Sequence, residues 1–165
     1  MILGLSPNAF LVLHVAVSMV AIATGFIVVG GMFSSAMLPG WTLVFLVLTM
    51  ATSATGFLFP IAGFTPALAV GALAIVILLL AAYALYAQRM NGGWRTVYVV
   101  SALAALYFNS FVFVVQSFQK VGFLQAIAPT QSEPPFAITQ GVLLLAFVAM
   151  GWTLLRRFHP EVRLA

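Results

Sequence analysis

Few side chains in this sequence can bind a ligand or move a proton, and they recur at helical spacing. His14 and Ser18 are one helical turn apart, and the same stripe leads on to Ala21 and Gly25. Thr42, Thr49, Ser53 and Gly56 form a second polar stripe, flanked by Thr52 and Thr55. Asn109, Gln116 and Lys120 share a third face, with Phe113 between them. Glu133 and Gln140 follow in and after the longest polar stretch, which also holds Gln125, Thr130, Gln131 and Ser132.

This inventory limits the chemistry. Cysteine is absent, which removes disulfides, thiolate catalysis, iron–sulfur clusters and Cys-bound zinc. No aspartate occurs, and the two glutamates, Glu133 and Glu161, are expected on opposite sides of a membrane, so a carboxylate pair or di-metal site is not expected. His14 and His159 are expected nearly a membrane apart, which excludes bis-histidine haem ligation within one chain, and Met19 lies on another face of its helix than His14. No nucleophile elbow, phosphate loop or dinucleotide fingerprint is present. A Ser53–His14 dyad remains open. So does a quinone slot, which needs an apolar cleft and one or two hydrogen-bonding groups such as His14 and Gln116.

The elements that must position these groups follow from composition. Of 165 residues, 64% are hydrophobic and 5% charged, and mean hydropathy is +1.21. Six basic and two acidic residues cannot clothe a soluble domain, so lipid is the solvent for most of the surface. The net charge of +4 does not signal nucleic acid either, because scattered Lys and Arg make no phosphate-binding face.

Apolar runs bounded by Gly, Pro or charge predict an all-α protein of five transmembrane helices in a single domain. The expected ranges are 8–31, ended by Gly30-Gly31, then 40–59, 66–88, 95–119 and 136–157. The opening apolar run has no basic residue before it and is long enough to span, so it reads as the first helix rather than a signal peptide. The uncharged break from Phe59 to Pro66 is a turn, since unbroken helix from Trp41 to Ala87 would reach roughly 70 Å. Residues 121–135 form the longest loop, with a stiff Glu133-Pro134-Pro135 entry to the last helix.

Five spans put the two termini on opposite sides. Arg89, Arg95, Arg156, Arg157 and Arg163 then share the C-terminal side, with only Lys120 opposite, which predicts a cytoplasmic C-terminus and a periplasmic N-terminus. Trp41, Trp94, Trp152, Tyr83, Tyr86 and Tyr98 fall at the same end, as interfacial aromatics should. His14, Thr52, Ser53, Gln116 and Gln140 all come within roughly 10 Å of the periplasmic surface at a rise of 1.5 Å per residue.

Two readings of that clustering compete. In the first, His14, Ser18, Ser53, Asn109, Gln116 and Gln140 converge on a periplasm-facing pocket rimmed by Lys120 and Glu133, which binds or passes a small solute or ion. In the second, the hydroxyls bond their own helices and the amides lock helices together, as in an accessory or assembly subunit. Partners expected on either reading are membrane lipids and a second copy or another membrane subunit; a quinone or haem redox protein is the third class.

The segments Ala54-Thr55-Gly56-Phe57-Leu58-Phe59-Pro60 and Ala128-Pro129-Thr130-Gln131-Ser132-Glu133-Pro134-Pro135-Phe136 give the chain a resemblance to small multi-pass inner-membrane proteins of Gram-negative bacteria whose function is uncharacterised. That resemblance implies location in the bacterial inner membrane and transfers no site residue or cofactor.

Overall fold

The computed structural model describes residues 1–60 and 66–160, with the side chains of Pro66 and Ala67 left aside. Six α-helices make up the fold: α1 Pro7–Phe33, α2 Pro39–Gly56, α3 Pro66–Ala82, α4 Trp94–Lys120, α5 Gly122–Ile127 and α6 Pro134–Arg157. A π turn, Tyr83–Ala87, extends α3, and among the described residues no strand forms. Among the described residues four helices are long and apolar enough to cross a membrane: Pro7–Phe33, Leu68–Ala87, Trp94–Lys120 and Pro134–Arg157. The protein is therefore an all-helical membrane protein. The 18-residue α2, rich in Thr and Ser, runs antiparallel beside α1.

Proline starts α1, α2, α3 and α6, where its missing N–H is one the helix would leave unpaired anyway. At α1 the Ser6 hydroxyl accepts from the Ala9 amide at 3.2 Å and completes the cap.

Several boundaries differ from expectation, each for a local reason. Helix α1 does not stop at Gly30-Gly31 but continues to Phe33. Gly31 serves the turn instead, since a Cβ there would lie 2.7 Å from Leu38 Cδ1 and 3.2 Å from the Ala36 carbonyl oxygen. Helix α2 ends at Gly56, ahead of 59, because the amides of Phe57 and Leu58 turn back to the carbonyls of Ala54 and Thr55. The end of α3 widens, with the Gln88 amide reaching the Tyr83 carbonyl at 3.0 Å. This sets Tyr83 edge-on to Trp94 and lets Gln88 Nε2 donate to the Tyr83 hydroxyl at 2.7 Å. The expected loop 121–135 contains α5, begun when the Gln125 amide bonds the Val121 carbonyl. The expected turn between Phe59 and Pro66 falls on residues 61–65, and Arg163 on the tail; both lie outside the described residues.

Hydrogen bonds fix which helix ends lie together. The Ser35 hydroxyl donates to the Arg157 carbonyl at 2.5 Å and accepts from the His159 amide at 3.3 Å. Arg95 Nη1 donates to the carbonyls of Leu155 and Phe158 at 3.1 and 2.8 Å. The C-termini of α1 and α6 and the N-terminus of α4 thus meet at one end, which carries Arg95, Arg156 and Arg157. His14 and Lys120 occupy the other.

Between these ends the bundle has a waist. A Cβ on Gly25 of α1 would lie 2.6 Å from Leu106 Cδ1 of α4 and 2.8 Å from Phe45 Cε2 of α2. A larger residue there would have to displace the Leu106 and Phe45 side chains, and small residues at such contacts let helices pack where lipid removes the hydrophobic drive. From the waist to the arginine-bearing end the core packs Met32, Leu85, Tyr98, Leu154 and Phe158, all buried.

Candidate functional site

On the His14 side of the waist α1, α2, α3 and α4 diverge around a cavity of about 470 Å³. Leu11, Val15, Val70, Ala74, Phe108 and Val112 give it a largely apolar wall. Six of the eight sequence candidates also line it: His14, Ser18, Ser53, Asn109, Gln116 and Lys120.

His14 is tied to α2. Its Nδ1 lies 2.8 Å from the Thr55 hydroxyl, which stands in donor geometry to the Ala51 carbonyl at 2.7 Å, with a longer approach to Thr52. A hydroxyl that has given its proton to its own helix can only accept, so the neutral imidazole carries its proton on Nδ1. Nε2 is then a bare acceptor, and it makes no hydrogen bond to the described residues. Phe59 stands edge-on to the ring at 5.2 Å between centroids, and Gly56 leaves room beside it.

The other hydroxyls divide into two groups. Ser18, Thr24, Thr55, Ser110, Ser117, Thr139 and Thr153 donate to a carbonyl four residues back, at 2.7–2.9 Å. For them the local-bonding reading describes the geometry. Thr49 is 1% exposed, belongs to the cavity wall, and has no hydrogen-bond partner among the described residues. Thr42 shares that condition two turns further along α2, close to the Tyr98 hydroxyl. Asn109 adds a buried Nδ2 without an acceptor to the α4 side of the cavity. Unpaired buried polar atoms are rare and costly, so two on one cavity wall call for a reason.

Gln116 and Lys120 are exposed toward the end of α4, one turn apart. Glu133 and Gln140, the remaining candidates, stand outside the cavity lining. The Glu133 carboxylate is taken up by its own loop, accepting from the Thr130 amide at 3.1 Å, the Thr130 hydroxyl at 2.8 Å and the Ser132 amide at 3.1 Å. Desolvation works to raise its pKa, but these hydrogen bonds outweigh it and hold the carboxyl below the usual range. Gln140 instead links α6 to α4, its Nε2 donating to the Phe111 carbonyl at 3.3 Å. The loop is likewise fastened to α4 by Gln131, whose Nε2 donates to the Val115 carbonyl at 3.3 Å.

Two residues beside His14 matter more than the sequence suggested. Thr55, outside the cavity lining, pairs with His14 Nδ1, and Phe59 borders the ring. Neither role was legible alone, because Thr55 meets His14 across 41 residues of sequence and Phe59 reaches it from beyond the end of α2. No protein-family model, no curated protein and no solved structure matches the chain.

Proposed function

We propose that this chain is a five-span bacterial inner-membrane protein that binds a small molecule in the cavity between α1, α2, α3 and α4. The observation that carries this reading is a cavity of about 470 Å³, within the roughly 300–1,000 Å³ usual for ligand sites, whose apolar wall holds unpaired polar atoms on Thr49 and Asn109. Binding is favoured over passage because Gly25, Leu106 and Phe45 pack tightly just beyond it. Flux through one chain would require that waist to part.

The fifth span is α2, which lies antiparallel to α1 from the Ser35 turn to the His14 level. Orientation rests on Arg95, Arg156 and Arg157 at one end against Lys120 at the other, which makes the former cytoplasmic and the cavity end periplasmic. The cysteine-free sequence suits a labelling test. A cysteine placed at Ser6 should react with an impermeant maleimide on intact spheroplasts and one at His159 should not; labelling of both would overturn the topology.

Binding is tested by extracting small molecules from the purified protein. A discrete compound should accompany the wild type and be lost from Ala74→Phe, which fills the wall of α3. Nothing above the lipid background in the wild type, or equal retention by Ala74→Phe, would overturn the reading.

A second reading, an accessory subunit, draws on α6. It is the least buried of the four long apolar helices and exposes Ile138, Val142, Leu145, Val148 and Trp152. Co-purification of a stoichiometric membrane partner, lost on replacing Val142 and Leu145 with Trp, supports it; a bare monomer in mild detergent contradicts it.

A further inference from the structure

We infer that the cavity takes an uncharged aromatic alcohol of the phenol or quinol type, its hydroxyl donating to His14 Nε2. This rests on the cavity being a binding site and names the class of molecule it holds.

The wall sets three requirements. First, the acceptor at His14 is fixed in kind: Thr55 spends its proton on Ala51, so Nδ1 of the neutral ring must donate and Nε2 must accept. A ligand meets Nε2 with a donor, and a ketone, ester or ether has none to offer. Second, Asn109 Nδ2 can only donate, so a second oxygen on the ligand must accept there. Thr49, buried and unpaired, can serve either role. Third, among the described residues no carboxylate belongs to the wall, and its one cation, Lys120, is exposed at the end of α4. A charged group carried down to the level of His14 and Asn109 would have no counter-ion and would pay heavily in lost hydration.

An apolar body with a hydroxyl at one place and an acceptor oxygen at another fits all three. Aromatic character follows from Phe57, Phe59, Phe108 and Phe113 on the wall, where flat rings pack edge-on or offset. The Phe59 edge already stands against the imidazole.

A matched pair of probes isolates the hydroxyl. 4-Hexyloxyphenol carries the donor, the ether oxygen and an apolar tail; its methyl ether lacks only the donor. Both are titrated calorimetrically into the whole protein in lipid nanodiscs, with protein-free discs as the partition control. The wild type should bind the phenol about tenfold more tightly than the ether, the scale of one buried hydrogen bond left unmade.

His14→Asn is the decisive variant. The asparagine amide nitrogen stands where Nδ1 stood and keeps the bond to Thr55, while the acceptor at Nε2 disappears. The tenfold preference should vanish through weaker phenol binding, with the ether still bound at least as well as by the wild type; that retention shows the cavity intact. Equal binding of phenol and ether by the wild type, or a preference that survives in His14→Asn, overturns the inference. If both probes bind equally and Ala74→Phe abolishes both, the donor requirement fails and the cavity reading stands. If neither binds beyond protein-free discs, the ligand class proposed here is overturned.

Discussion

The two halves of this bundle are built from the same helices and differ in what happens where those helices meet. Around the arginine-bearing end, small residues are pressed against large ones, and the chain's free carbonyls are closed off by Arg95 and Ser35. Around His14, the helices part, and side chains with hydrogen-bonding capacity stand on a largely apolar wall. Gly25 and Gly71 show the difference on a single scale. A methyl group at Gly25 would enter Leu106 and Phe45 at 2.6 and 2.8 Å, whereas one at Gly71 would meet Phe57 at 3.3 Å and otherwise little. The helices are thus pressed together at the waist and leave room beside His14.

That contrast can be broken most severely at the waist. Gly25→Leu should prevent the bundle from closing, since it overpacks a site with no slack, where even one added methylene typically costs about 1–3 kcal/mol. Loss of a monodisperse peak in detergent checks it, and a well-behaved variant with wild-type melting would refute the waist.

The next largest effect belongs to the arginine-bearing end. Arg95→Gln leaves the carbonyls of Leu155 and Phe158 without their charged donor, a loss of about 1.5–3 kcal/mol for a charge-assisted bond. Faster amide exchange should follow in the last turn of α6, with the His14 end unaffected. Exchange that spreads to α2 near Thr55 would mean the halves are coupled.

In the cavity half, Gly71→Ala should change the melting temperature little, because the Phe57 ring edge needs to yield only a few tenths of an ångström. A loss as large as that at Gly25 would show that the cavity half is packed as tightly as the other.

The smallest effect is expected of the outer loop. The Glu133 carboxyl is held below the usual glutamate range, so its loop bonds contribute stability above that range and lose it as pH falls through the lower folded value. Proteolysis between Ala128 and Glu133 should therefore quicken below about pH 4. Glu133→Gln should be equally susceptible at all pH values, and an unchanged acid response in that variant would assign the effect to another group.

Much of the fold was legible because lipid imposes simple rules. Proline at four helix starts, long uncharged apolar runs and the grouping of arginines require no knowledge of tertiary contacts. The shared face of Asn109, Gln116 and Lys120 was likewise a matter of period, and that face lines the cavity. Gln140 joins them in the sequence on depth alone, and Glu133 only as the carboxylate of the long loop. Depth cannot say which way a side chain turns, and the one folds into its own loop while the other crosses to Phe111.

What the residues determined by themselves is the solvent, the helical elements and the scarcity of groups able to do chemistry. Tertiary structure alone decided where the helices touch and where they part, and through Thr55 which nitrogen of His14 is left to accept. The reason is physical: periodicity assigns a side chain to a face of its own helix, but the neighbour it meets depends on how closely two backbones approach. At Gly25 that approach is set by the absence of a single carbon atom.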